Sequence, residues 1–315
     1  MKDKTVWVLK TISKDKTSYN GKFKWNTKKG AINTAKDYKR TKECGHGLHG
    51  ALKGEGDGGL FSWDADALWL VLEVKNNKDL IQLDGKVKFK TCKMIYAGTR
   101  EKATEMIYKK YHTAVIGSTS TSGDRGTSTS GDYGTSTSGY KGTSTSGDEG
   151  TSTSGYKGTS TSGDYGTSTS REKGTSTSRE KGTSTSGDMG TSTSGDEGTA
   201  TSGDYGTSTS GDWGTSTSGD WGTATSGDYG TSTSGDWGTS TSGDWGTSTS
   251  GYKGTSTSGY KGTSTSGKRG IIQIKFWDSK KDRHRFKTGY IGEEGLKPNV
   301  KYKLDENNEF EEVEL

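Results

Sequence analysis

Residues 118–269 repeat one octapeptide, Gly-Thr-Ser-Thr-Ser-Gly-Asp-X, 19 times without an insertion or deletion. A fixed short period restricts a chain to repeat architectures, in which each unit stacks only on its neighbours. In the octet 214–221, Thr215, Ser216, Thr217 and Ser218 alternate with the period of a strand, and threonine is a good strand former. Gly219, Asp220, Trp221 and the next glycine, Gly222, supply a turn. Eight residues at ~3.3 Å each close a ring too tight for inward side chains, so a coil needs two octets. The array is therefore expected to be a two-sided parallel β-solenoid of 16-residue coils, roughly nine and a half of them, stacked ~4.8 Å apart. A disordered Gly/Ser/Thr linker would share this composition, but linkers drift in length and this register never slips.

The inward face follows from the exceptions. The first serine of the octet is replaced by alanine at Ala200 and Ala224, whereas neither threonine is ever replaced within the array. The run leaving the array puts Ile272 and Ile274 in the registers of the two serines. Both serines are therefore expected inside and both threonines outside. The inward hydroxyls must then pair with one another or with backbone, because an unpaired buried hydroxyl costs ~1–3 kcal/mol. The rival assignment fills the core with threonine methyls.

Octets alternate between two edges, so each stacks on the octet two places along. Tyr205, Trp221 and Trp237 then share one edge, and Trp213, Tyr229 and Trp245 the other. These are expected to form aromatic ladders with an aspartate beside each ring. Lys141, Lys157, Arg171, Lys173, Arg179 and Lys181 flank this acidic middle on one side, with Lys253, Lys261, Lys268 and Arg269 on the other. Ladders and charges can also do no more than protect edges and keep a solenoid soluble.

Charge divides the chain. The array holds 11 Lys+Arg against 16 Asp+Glu, a net of −5, so the other 163 residues carry +10 of the overall +5. Their cations are spread over 2–53 and 86–110, the pattern of a solvated face, and nucleic acid is not the expected partner. Two cysteines, Cys44 and Cys92, make no disulfide framework and fit a reducing compartment. The start has no apolar core of signal-peptide length, and no stretch approaches the ~18 apolar residues of a membrane span. A cytoplasmic protein is expected, or one released by lysis or a non-classical route.

Residues 1–117 read as an α+β cap domain. Strands are expected at 5–12, 22–25, 67–74, 80–83 and 87–94, with a turn at Asp84-Gly85, a short helix or loop over 27–41, and a helix over 100–111 with Ala103, Met106, Ile107 and Tyr111 on one face. The glycine-rich stretches 44–50 and 54–59 read as tight turns. Residues 270–315 read as a small C-terminal β cap, with strands at 271–277, 286–291, 302–304 and 310–313, a turn at 305–308 and an acidic surface tail at 309–314.

Chemistry is sparse. Cys44, His46 and His49 are ligand types that zinc accepts, but their spacing is unusual and the glycines around them suit turns. A Cys44–His46 nucleophile–base pair would need a third orienting group, which nothing marks. Gly54-x-Gly-x-Gly-Gly does not sit between a strand and a helix as a phosphate loop must. The Gly-Asp-X-Gly turns resemble those of calcium-binding β-rolls, yet one aspartate per octet leaves a cation under-ligated. No enzyme activity, cofactor or metal is expected.

The segments Gly-Leu-His-Gly at 47–50, Gly-Glu-Gly-Asp-Gly at 54–58, Trp-Leu-Val-Leu-Glu-Val at 69–74, Leu-Asp-Gly-Lys-Val-Lys-Phe at 83–89 and Tyr-Lys-Leu-Asp at 302–305 resemble uncharacterised bacterial and phage proteins. Those proteins carry an N-terminal cap, octapeptide repeats of the form Ala-Thr-Val-Thr-Gly-Gly-Asp-X and a short C-terminal cap. The resemblance implies the same architecture, agrees with an inward first serine, and carries no activity. The array alone is similar to bacterial ice-nucleation repeats and β-solenoid antifreeze proteins, although its Thr-x-Thr falls one place closer to the preceding aromatic-Gly.

Two functions follow as expectations. In the first, a non-enzymatic solenoid presents its aromatic, acidic edges, with Tyr205, Trp213, Trp221, Tyr229, Trp237 and Trp245 as anchors, to a macromolecule or to another copy of itself. In the second, outward threonines, represented by Thr215, Thr217, Thr231 and Thr233, form a lattice that orders water or ice.

Overall fold

The computed structural model describes residues 4–18 and 21–313. By contacts the chain divides into two units: Met1–Ser120 with Thr129–Ser136 and Ser146–Gly150, and Thr121–Ser128 with Thr137–Thr145 and Thr151–Leu315.

The first unit is built on a seven-stranded antiparallel sheet. Its strand order is Ile32–Thr34, Thr91–Gly98, Leu68–Lys75, Thr5–Ile12, Leu48–Leu52, Val87–Phe89 and Ile81–Gln82. The inner strand Leu68–Lys75 reads as a continuous apolar run because both of its faces are covered. Leu70, Leu72 and Val74 pack with Val8, Phe89 and Met94, while Trp69 and Val71 pack with Ala103 and Ile107 of the helix Arg100–Tyr111. Thr99 caps that helix by accepting a hydrogen bond from the Lys102 N–H at 3.4 Å. Glu105 pairs with Lys102 at i,i+3 and with Lys109 at i,i+4, the two spacings that share a helix face. The segment Thr129–Ser136 of the array belongs to this unit. Asp132 Oδ2 accepts from the Gly58 N–H at 2.9 Å, and Tyr133 stacks on Trp63 with ring centroids 4.3 Å apart.

Three expectations for this unit are corrected. The glycine-rich segment 44–50 does not end in turns alone: Leu48–Leu52 is a strand beside Thr5–Ile12. A Cβ on Gly50 would stand 2.5 Å from Val8 Cγ1 and 2.6 Å from Leu9 O, so glycine here marks close backbone approach inside a sheet. The single strand expected over 87–94 breaks at Lys90 into Val87–Phe89 and Thr91–Gly98, which join different parts of the sheet. The region 27–41 forms no helix and contributes the edge strand Ile32–Thr34.

In the second unit, successive octets fall alternately in two parallel sheets. From Thr143 to Ser258 each octet strand pairs in register with the strand 16 residues later, so Thr215 lies on Thr231 and Ser216 on Ser232. This is a parallel β-solenoid of about ten coils. The serines face in. Ser216 and Ser232 are wholly buried and Ala200 and Ala224 occupy the same position, while Thr215 and Thr231 are exposed.

The buried hydroxyls are only partly paired. Ser144 Oγ lies 2.6 Å from Thr153 O and 2.9 Å from Ser138 Oγ. The Ser144 hydroxyl is the donor in both contacts, its one proton shared between the Thr153 carbonyl and the Ser138 hydroxyl oxygen. The same second-serine to first-serine pair recurs at Ser154–Ser160, Ser162–Ser168 and Ser170–Ser176. From Ser194 to Ser242, however, every second serine has a buried Oγ without a partner among the described residues. At Ser194 and Ser218 the cause is direct, because Ala200 and Ala224 occupy the partner position.

The array ends where isoleucine replaces serine. Ile272 and Ile274 stack on Ser256 and Ser258 and are buried. Ile271–Asp278 then turns back as an antiparallel pair with Arg283–Tyr290, so parallel stacking stops. Ile291, Leu296 and Tyr302 complete this small core with Ile272. The turn expected at 305–308 is closed by the Asn308 N–H donating to Asp305 O at 3.1 Å. Glu314 of the expected acidic tail lies outside the described residues.

Candidate functional site

The solenoid presents two kinds of regular surface, faces and edges. On each face the two threonines of an octet point out of the sheet, the first exposed and the second half-buried in most octets. Parallel, in-register pairing stacks threonine on threonine, as Thr215 on Thr231 and Thr217 on Thr233. Neighbours in this lattice are ~6.7 Å apart along a strand and ~4.8 Å apart between coils. Over residues 159–241 no threonine hydroxyl is hydrogen-bonded to a described residue, whereas first serines such as Ser160, Ser168 and Ser176 donate inward to backbone carbonyls. Each sheet face therefore offers methyl and hydroxyl groups whose hydrogen bonds are available to solvent.

The edges are made by the turns. In the octet 214–221 the turn is closed by the Gly222 N–H donating to Gly219 O at 3.2 Å. Trp221 sits at φ 59°, and every residue at the eighth position, from Arg125 to Arg269, has a left-handed φ. Such backbone costs a non-glycine residue ~1–2 kcal/mol, so the side chain at this position must return something. It does so by stacking. Trp221 lies between Tyr205 and Trp237, with centroids 6.1 and 4.9 Å away and planes within 5°. On the other edge Tyr229 lies between Trp213 at 4.3 Å and Trp245 at 6.1 Å. Both ladders stand where the sequence puts them.

The aspartate beside each ring has a role that the sequence did not disclose. Asp204 Oδ1 accepts from the Asp220 N–H at 2.9 Å, Asp220 Oδ1 from the Asp236 N–H at 2.8 Å, and the series ends at the Tyr252 N–H on Asp236. Each carboxylate thus binds the backbone of the next coil, a charge-assisted bond. The glycine before the aspartate is required by the same contact: a Cβ on Gly219 would collide with the Asp204 carboxylate. Where tyrosine replaces the aspartate, at Tyr140, Tyr156, Tyr252 and Tyr260, the next residue is always lysine, and its ammonium lies 5.2–5.4 Å from that tyrosine's ring centroid. Lys253 also covers Trp237 at 4.0 Å and Lys261 covers Trp245 at 4.5 Å, so a cation closes the C-terminal end of each ladder. That coupled Tyr-Lys replacement was the available sequence signal for these caps.

Stacking limits what the ladders can do. From Trp221 and Tyr229 to the C-terminal end of each ladder, ring faces are spent on neighbouring rings or on lysine, whereas the leading rings Tyr205 and Trp213 stack on one side only and are 60% and 64% exposed.

The Cys44, His46 and His49 cluster does not assemble a metal site. Among the described residues no group of three or more His, Cys, Asp and Glu side chains could hold an ion. His46 Nδ1 instead lies 3.7 Å from Asp37 Oδ2. His49 is held neutral, its pKa lowered to about 4 by burial and by the charges of Lys10, Lys86 and Lys88, against an opposing Asp37. Cys44 is exposed, whereas Cys92 is buried and its thiol is pushed up to about 12 by that burial.

A 105-residue stretch of the chain is 36% identical to an ice nucleation protein of Pseudomonas fluorescens, covering 33% of this chain and 8% of that protein. The chain thus spans less than a tenth of the relative's length. No protein-family model matches the chain, and no solved structure matches it.

Proposed function

We propose that this chain is a non-enzymatic scaffold whose Thr-x-Thr faces order water and bind ice. The observation that carries the reading is the lattice of outward threonines over 159–241, their hydroxyls bonded to no described residue, repeated on two sheets. Its two spacings are of the same order as the repeats of water oxygens on the surface of hexagonal ice. The methyl beside each hydroxyl keeps water from solvating the face freely, which favours an ordered layer over a disordered one. The partial likeness to an ice nucleation protein supports the same reading.

Ice shaping and thermal hysteresis test it directly. The parent protein is expected to facet growing ice, and the pair Thr215→Lys and Thr231→Lys, adjacent on one face, to weaken faceting by that face. Lysine is tolerated on an exposed strand position, so the fold should survive. Ice growth that ignores the parent protein would end the proposal.

A second reading rests on a separate observation, the six exposed rings Tyr205, Trp213, Trp221, Tyr229, Trp237 and Trp245. In it, the edges associate with another copy of the chain or with a macromolecule. Changing Trp213, Trp221, Trp237 and Trp245 to serine is expected to lower the association state in sedimentation while leaving ice shaping intact. An unchanged sedimentation profile counts against it.

A further inference from the structure

Each of the three large sheets has two edge strands, and five of these six are two or three residues long. Short edges offer little backbone to a second strand. The sixth is Arg283–Tyr290, eight residues, which pairs with Ile271–Asp278 on one side and with no described strand on the other. From 283 to 289 its backbone bonds to no other described backbone outside that pair. Only Ile271–Ile274 of its partner stack on the coil before, so 275–278 and 283–286 pair with each other alone.

The alternation of a strand gives this edge two different faces. Arg283, Arg285 and Lys287 share one. His284, Phe286 and Tyr290 share the other, with Trp277 opposite His284. Phe286 is 53% exposed, Tyr290 52% and Trp277 44%, so the second face is apolar and open. The first is basic. Arg285 pairs with Asp278 and Lys287 with Glu309, whereas Arg283 makes no ion pair among the described residues. Over 278–290 five Lys+Arg stand against two aspartates.

A second copy does not fit this edge. Two-fold antiparallel pairing sets each residue opposite one of its own face. Every register centred within 283–287 then opposes cation to cation, as Arg285 to Lys287 or Arg283 to Arg285, and like charges directly opposite are destabilising.

We infer that Arg283–Tyr290 is a docking strand for an extended acidic peptide of another protein. The peptide adds to the sheet edge with its carboxylates on the Arg283 and Arg285 face and its apolar side chains against Phe286 and Tyr290. In strand addition the main chain supplies affinity and the alternate side chains supply selectivity. None of this depends on the threonine faces.

The probe is the end-blocked peptide Glu-Val-Glu-Val-Glu-Val-Glu, with Val-Val-Val-Glu-Glu-Glu-Glu as its isomer. Calorimetry on the full chain is expected to show the alternating peptide binding roughly tenfold or more tightly than the isomer. Amide hydrogens within 283–287 should exchange more slowly in that complex, because an added strand takes up N–H groups that face water in the free chain. Arg283→Gln should weaken binding roughly threefold, the worth of one exposed ion pair. Its melting temperature should not change, since Arg283 is exposed. Lys36→Gln, an exposed change in the other unit, serves as the control and should bind as the parent does. Equal affinity for the two peptides, or an equal loss in the two variants, would make the attraction a property of net charge alone and overturn the inference. Unchanged exchange over 283–287 overturns it as well. So does an oligothymidine that protects these amides at lower concentration than the alternating peptide, which would make the strand a nucleic-acid surface. Exchange that slows with protein concentration alone would mean that a second copy pairs there, and also overturns it.

Discussion

Two serines of one octet have different energetic roles. Ser144 donates toward Thr153 O and Ser138 Oγ, so Ser144→Ala would leave the buried Ser138 hydroxyl without its partner, while Thr153 O keeps only the Ser138 N–H. It is expected to destabilise by ~1–3 kcal/mol. Ser218 has a buried hydroxyl with no partner, and Ser218→Ala should be neutral or stabilising by ~1 kcal/mol. Chemical denaturation of the two variants checks the contrast, and equal losses would show that the second serines are satisfied after all. The inward placement was legible because Ala200, Ala224, Ile272 and Ile274 break the repeat at serine registers. The uneven pairing was not, since it depends on which hydroxyl reaches which across a coil. His49 gives a second residue-scale test. Its pKa is depressed in the fold, so the folded state binds fewer protons than the unfolded one between about pH 6.5 and about 4. The stability contributed by the neutral imidazole is complete above that window and is lost as pH falls through it. His49→Gln should flatten this part of the stability–pH curve, and an unchanged slope would remove His49 as its source.

At the scale of the turn, three demands meet in four residues. Gly219 leaves room for the Asp204 carboxylate, Asp220 binds the next coil, and Trp221 accepts left-handed backbone in exchange for two stacking partners. Each stack contributes ~0.5–1.5 kcal/mol beyond area, so Trp221→Val, which loses both and keeps the strained φ, should cost the most. Trp221→Gly loses the stacks but relaxes the backbone, and its melting temperature should lie above that of the valine variant. The reverse order would mean that the turn is not strained. Asp220→Ala should cost ~1–2 kcal/mol through the lost bond to the Asp236 N–H. Sequence reasoning placed the turn and both ladders because the period alone assigns octets to edges. It missed the left-handed residue because Trp, Tyr, Lys and Glu are not the residues that usually mark that conformation. It also read 44–50 as loop, since Gly50 in a strand looks like a break until the neighbouring strand is seen to need the space.

For the molecule as a whole, identical coils make length adjustable. Deleting the 16 residues 206–221 joins Tyr205 to Gly222 and keeps both faces, both edges and the closing Ile272 in register. The solenoid should fold with one, two or three such coils removed. This gives the threonine lattice a dial that no single substitution provides, because ordering water depends on the area of matched surface and not on one site. Droplet freezing across that deletion series is the most direct measurement. Freezing is expected to be warmest for the intact array and to move steadily toward the buffer value as coils are removed, and Lys substitutions along one face of the intact array should lower it as well. Droplets that freeze at the buffer temperature with the intact protein, or at one temperature regardless of coil number, would contradict the claim that the threonine faces act on water.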